Sequence, residues 1–64
     1  MATTTVRKVR PWFAVEVRDT FGWRLADYEW FTSPETARLH LDLNFSGETR
    51  PLRVEVHTTP RVHA

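Results

Sequence analysis

The stretch Thr32-Ser33-Pro34-Glu35-Thr36-Ala37-Arg38-Leu39-His40-Leu41-Asp42-Leu43-Asn44-Phe45 decides the fold, because it reads in two ways. Its opening is punctuated as a helix start. Ser33 offers a hydroxyl to the N-cap, Pro34 has no N–H to leave unpaired in the first turn, and Glu35 sets a carboxylate at the positive end of the helix dipole. Its second half alternates, with Leu39, Leu41, Leu43 and Phe45 separated by His40, Asp42 and Asn44, which is the period of a strand. Extended, these residues would give the chain two hairpins; helical, they give it a second layer. The cap is given the greater weight, and a helix is predicted from Pro34. Ala37, Leu41 and Phe45 then share one stripe, while Leu39 and Leu43 fall on nearly the opposite side.

Upstream, Phe13, Val15 and Val17 alternate with Ala14, Glu16 and Arg18 in a run rich in aromatic and β-branched residues, a first strand. Asp19-Thr20-Phe21-Gly22 suits a type I turn whose glycine adopts the left-handed conformation of a hairpin. Trp23 through Phe31 is read as the returning strand. A slip of one residue exchanges the faces of a sheet, so the register is chosen by what it buries. Arg18 opposite Trp23 sets Val15 against Ala26 and Phe13 against Tyr28, with Trp30 on the same side. The other register buries Asp27 and Glu29 without partners, at a cost of several kcal/mol. Tyr28 and Trp30 are therefore expected in the core, and Trp12 and Trp23 are expected to be more accessible.

Downstream, Ser46 to Pro51 is a loop of turn formers, and Leu52, Val54 and Val56 alternate with Arg53, Glu55 and His57 as a last strand. The expected architecture is a small two-layer α+β domain of order ββαβ, a three-stranded antiparallel sheet (2-1-3) with the helix on one face. Residues 10–58 form the domain, 1–9 a flexible basic arm and 59–64 a flexible tail. The uncovered sheet face is expected to carry Trp12, Ala14, Trp23 and Leu25 among Glu16, Arg18, Asp27, Arg53 and Glu55.

With 64 residues and no cysteine, the chain has room for one domain and no disulfide to hold it, so it relies on its three Trp, four Phe and one Tyr. No apolar run approaches a membrane span and the first residues lack a secretory pattern, so a cytoplasmic protein without a membrane partner is expected. Charge is segmental: residues 1–10 carry Arg7, Lys8 and Arg10, residues 11–49 carry three Arg against seven acids, and residues 50–64 carry Arg50, Arg53 and Arg61 against Glu55.

Catalytic and metal chemistry find little purchase. His40, His57 and His63 are read as solvent-exposed rather than as ligands, and no metal or cofactor is expected. Ser33 and Ser46 are taken by the cap and the loop, Asp27 and Glu29 have no pocket to work in, and two glycines make no phosphate loop. No enzyme and no small-molecule substrate is expected. Two apolar surfaces are left over instead: Trp12, Trp23 and Leu25 on the open sheet face, and Leu39 with Leu43 on the helix. Apolar surface rimmed by charge marks a protein partner site, so the expected function is a protein-interaction module, a homodimer or a regulator of a larger protein.

The alternative is DNA binding. The segment from Gly22 to Leu39, with Phe31-Thr32 leading into an alanine-bearing helix, resembles the small arm-type DNA-binding domains of phage integrases. That resemblance implies an integrase-arm-like protein or a phage or plasmid accessory factor, with nucleic-acid contacts from Arg7, Lys8 and Arg10 and from Arg18 and Arg53. The sequence departs from the pattern in having a strand after the helix and in carrying Asp27 and Glu29 where phosphates would lie.

Overall fold

The computed structural model describes residues 10–60; Arg7 and Lys8 of the expected basic arm, together with Arg61 and His63, lie outside them. Strand β1 runs Trp12–Asp19, β2 Gly22–Leu25 and β3 Leu52–His57, with one helix, α1, at Pro34–Asn44. The strands form an antiparallel sheet in the order β2-β1-β3, and α1 packs on β1 and β3. The protein is a small two-layer α+β domain, as the cap at Ser33 and Pro34 indicated.

The deciding stretch is helical to Asn44. Ser33 Oγ accepts the Thr36 N–H at 3.3 Å, Pro34 occupies the first turn, and the Phe45 N–H closes the last turn on the Leu41 carbonyl at 3.0 Å. Ala37 and Leu41 are buried, while Leu39 and Leu43 remain 57% and 71% exposed. The alternation in this stretch therefore records a helix with apolar residues on both sides.

The hairpin turn is built as expected. Asp19 pairs with Gly22, Asp19 Oδ1 accepts the Phe21 N–H at 2.8 Å, and Gly22 takes φ +113°. That turn fixes Arg18 opposite Trp23, and the Ala26 N–H still reaches the Val15 carbonyl at 2.9 Å.

Beyond Ala26 the expected pairing fails. Phe13 pairs with Phe31, exchanging two backbone hydrogen bonds of 2.8 Å, so three extra residues stand between the Val15 and Phe13 partners. The cause is Asp27, whose Oδ1 accepts the Glu29 N–H at 3.1 Å and folds the chain out of the ladder. β2 consequently ends at Leu25. Phe31 takes the place assigned to Tyr28, which is instead 98% exposed, and Trp30 is also exposed. Trp12, expected to be accessible, is buried.

Directly paired residues share a face, so Phe13, Val15 and Val17 lie with Leu52, Val54 and Val56 on one side. Phe31 joins them opposite Phe13, and its ring meets His40 of α1 at 5.0 Å. This is the helix side, and Val15 and Val17 are buried there. Trp12, Ala14, Glu16, Arg18, Trp23, Leu25, Arg53, Glu55 and His57 share the other side.

Candidate functional site

The helix-free face is not the open apolar surface the sequence suggested. At its centre Glu16, only 5% exposed, holds a carboxylate between two strands. Strand pairing sets Glu16 opposite Arg53, and one carboxylate oxygen, Oε1, meets Arg53 Nε and Nη2 at 2.9 Å each. The other oxygen lies 2.8 Å from His57 Nε2, but the ring nitrogen is not aligned for a hydrogen bond. Attraction there is between charges and requires a protonated ring. Arg53 Nη2 also lies 3.3 Å from Glu55 Oε2.

Aromatic rings flank these charges. Trp12 and His57, paired across β1 and β3, stack with centroids 4.3 Å apart and planes 15° from parallel. The Arg53 guanidinium lies 4.2 Å from the centroid of the Trp23 ring, a cation–π contact worth on the order of 0.5 to 2 kcal/mol. The Trp12 Nε1–H donates to the Thr59 carbonyl at 2.6 Å, tying the start of the C-terminal segment to the first strand. Ala14, between Trp12 and Glu16 on this face, is fully buried.

A second histidine–carboxylate pair stands at the edge of the helix layer. His40 Nε2 lies 2.7 Å from Asp27 Oδ2, and Asn44 Nδ2 lies 3.0 Å from both His40 Nδ1 and the His40 carbonyl. Both neighbours of the Asn44 nitrogen can accept, which orients the amide with its NH₂ toward them. His40 Nδ1 then accepts, and Nε2 carries the proton donated to Asp27. The rings of Phe31 and Phe45 close around this imidazole at 5.0 and 5.8 Å. The pair fastens the segment after β2 to the helix.

His40 and His57 are thus partly buried and paired with carboxylates, which corrects the expectation that they face solvent. His57 opposite Trp12 follows from the β1–β3 register, which local pattern does not supply; Asp27 reaches His40 only because the chain leaves the ladder. Asn44 four residues after His40 was the one legible signal, since such pairs meet on a helix. Among the described residues no group of three or more His, Cys, Asp or Glu is gathered as metal ligands, and no helix is long and apolar enough to cross a membrane.

Of the expected protein-contact residues, Trp23, Leu25, Leu39 and Leu43 are exposed and Trp12 is buried. Of the expected DNA contacts, Arg10 and Arg18 are exposed, whereas Arg53 is engaged by Glu16, Glu55 and Trp23. A shallow concavity of about 480 Å³ is lined by Arg18, Asp19, Thr20, Arg50 and Pro51, and two of its three charges are partnered: Asp19 meets Arg24 at 2.7 Å and Arg50 meets Glu48 at 2.8 Å. Hydrogen bonds from the Arg50 side chain and backbone lower the Glu48 pKa to about 2, and Glu48 in turn raises that of Arg50.

Compared with known protein families, with curated proteins and with solved structures, the chain matches none.

Proposed function

We propose that the chain is a small non-enzymatic interaction module that binds a protein, either a second copy or a larger protein that it regulates. The observation that carries this reading is the two-sidedness of α1. Ala37 and Leu41 are buried on the sheet, while Leu39 and Leu43 stand in solvent on the far side. Burying a leucine side chain is worth roughly 1.5 to 3 kcal/mol, so two such residues on one exposed ridge suit a partner surface. Tyr28 supports the reading, since it is fully exposed and follows Asp27, the residue fastened to His40 on the same helix.

Replacing Leu39 and Leu43 together by Glu tests it. Both side chains are exposed, so the variant is expected to fold with a thermal midpoint close to that of the parent, and to lose a protein partner that the parent retains from its host's extract and rebinds in purified form. A parent that retains no protein, or a variant that retains the partner unchanged, contradicts the proposal.

A further inference from the structure

We infer that β3 is a dimerisation edge, pairing antiparallel with β3 of a second copy about a two-fold axis at Val54. The inference rests on the interaction-module reading, but it uses a surface separate from Leu39 and Leu43.

Backbone direction supplies the first step. Phe13 exchanges its N–H and carbonyl with Phe31, and the Val15 carbonyl accepts from Ala26, so the odd-numbered residues of β1 point toward β2. The even-numbered residues of β1 therefore point toward β3, as the bond from the Arg18 N–H to the Pro51 carbonyl at 3.0 Å bears out. Given the pairings Trp12–His57, Ala14–Glu55 and Glu16–Arg53, Arg53, Glu55 and His57 spend their backbone groups on β1. Leu52, Val54 and Val56 aim theirs outward, where no further strand lies among the described residues. The Val56 N–H accordingly turns to a side chain, the Glu55 carboxylate at 3.1 Å.

Charge supplies the second step. An outward row of N–H and carbonyl groups is a template for another strand, which many proteins block with like charges along the edge. Here the edge carries one cation and one anion two residues apart. A two-fold pairing centred on Arg53 sets Arg53 against itself, and one centred on Glu55 sets Glu55 against itself. Centred on Val54, it sets Arg53 opposite Glu55 of the second copy and the reverse, with Leu52 opposite Val56 on the helix side. The outward groups of Leu52, Val54 and Val56 then meet one another in hydrogen-bonded pairs. Opposite charges placed across strands stabilise and like charges destabilise, so charge favours this register over those centred on Arg53 and Glu55, and it alone of the registers about these residues sets Arg53 against Glu55. Val56, at 46% exposure, is the most exposed residue on the helix side of β3 and gains cover from Leu52 of the second copy.

Sedimentation equilibrium of the full chain, with amide exchange followed residue by residue, tests the pairing. The parent is expected to dimerise, and the Leu52, Val54 and Val56 amides are expected to exchange more slowly as concentration rises. Val54→Pro removes an N–H directed away from β1, a position where an edge strand tolerates proline, and is expected to leave a folded monomer. Glu55→Lys sets lysine opposite Arg53 and is expected to raise the dissociation constant at least tenfold, which decides the matter should the proline variant not fold. A parent that stays monomeric at millimolar concentration overturns the inference, as does a dimer that survives both substitutions. Protection of the three amides at every concentration would mean that the chain's own residues cover the edge, and would also overturn it. A dimer lost in the Leu39 and Leu43 variant but kept in Val54→Pro overturns this edge while upholding the helix surface.

Discussion

The two sides of the sheet solve the same problem by different means. On one, Val15 and Val17 are buried beneath α1, whose Ala37 and Leu41 are buried with them. On the other, among the described residues, no second layer exists, and the side chains of the strands cover one another: Trp12 on His57, Arg53 over Trp23, and Glu16 bridging Arg53 and His57. Flat rings and guanidinium planes take the place of a covering layer on that side. The difference has an energetic consequence. Apolar burial does not depend on protonation, whereas a buried carboxylate depends on its own charge and on the partners that compensate its desolvation.

Truncation on each side puts the two on one scale and carries the largest expected effects. Trp12→Ala should cost about 3 to 5 kcal/mol and Leu41→Ala about 2 to 5, each a large fraction of the stability of so small a domain. Tyr28→Ala should cost under about 0.5 kcal/mol, because its side chain touches solvent. Urea denaturation measures all three. A costly Tyr28→Ala with a harmless Trp12→Ala would restore the assignment of faces that strand alternation alone suggests.

That assignment shows how far the sequence could be read. Asp19 and Gly22 fixed the first four pairs of the hairpin, Ser33 and Pro34 fixed the start of the helix, and the strand order followed from both. The alternation from Trp23 to Phe31 then misled, because nothing local says that Asp27 will turn back on the Glu29 N–H and reach a histidine thirteen positions away. The Glu16 cluster stayed hidden for a related reason. Its members come from three strands, and only the β1–β3 register brings His57 to Trp12 and Arg53 to Glu16.

A smaller effect tests what keeps the two sides distinct. Gly22 holds φ +113° in the turn that sets the hairpin register, and a slip of one residue would exchange the faces. Gly22→Ala is expected to cost about 1 to 2 kcal/mol from backbone strain alone, since an added Cβ meets nothing within 4 Å. Chemical denaturation with retained sheet chemical shifts would match this; an unchanged stability would mean that the turn does not need its glycine.

The smallest effect concerns a charge pair that belongs to neither side. Glu48 is expected to titrate at about 2 rather than at its ordinary 4.5, because Arg50 donates to its carboxylate. A lowered value means that the stabilisation is complete above the ordinary value and fades as pH falls through about 2. The pair with Arg50 lies at the surface, where solvent screens it, so the contribution to folding is slight. Carbon-detected NMR titration reads the midpoint directly, and Arg50→Ala should return it toward 4.5.

The central claim is that the helix-free side is held by coupling between Glu16 and Arg53, and a double-mutant cycle measures that coupling. With Glu16→Leu, Arg53→Leu and the double variant compared by urea denaturation, the first leaves Arg53 with Glu55 as its remaining carboxylate, the second leaves Glu16 beside His57, and the double removes both charges of the pair. The expected coupling is about 1 to 3 kcal/mol, with the double variant less destabilised than the singles sum to. Effects that add to within about 0.5 kcal/mol would show that the two residues merely share a face.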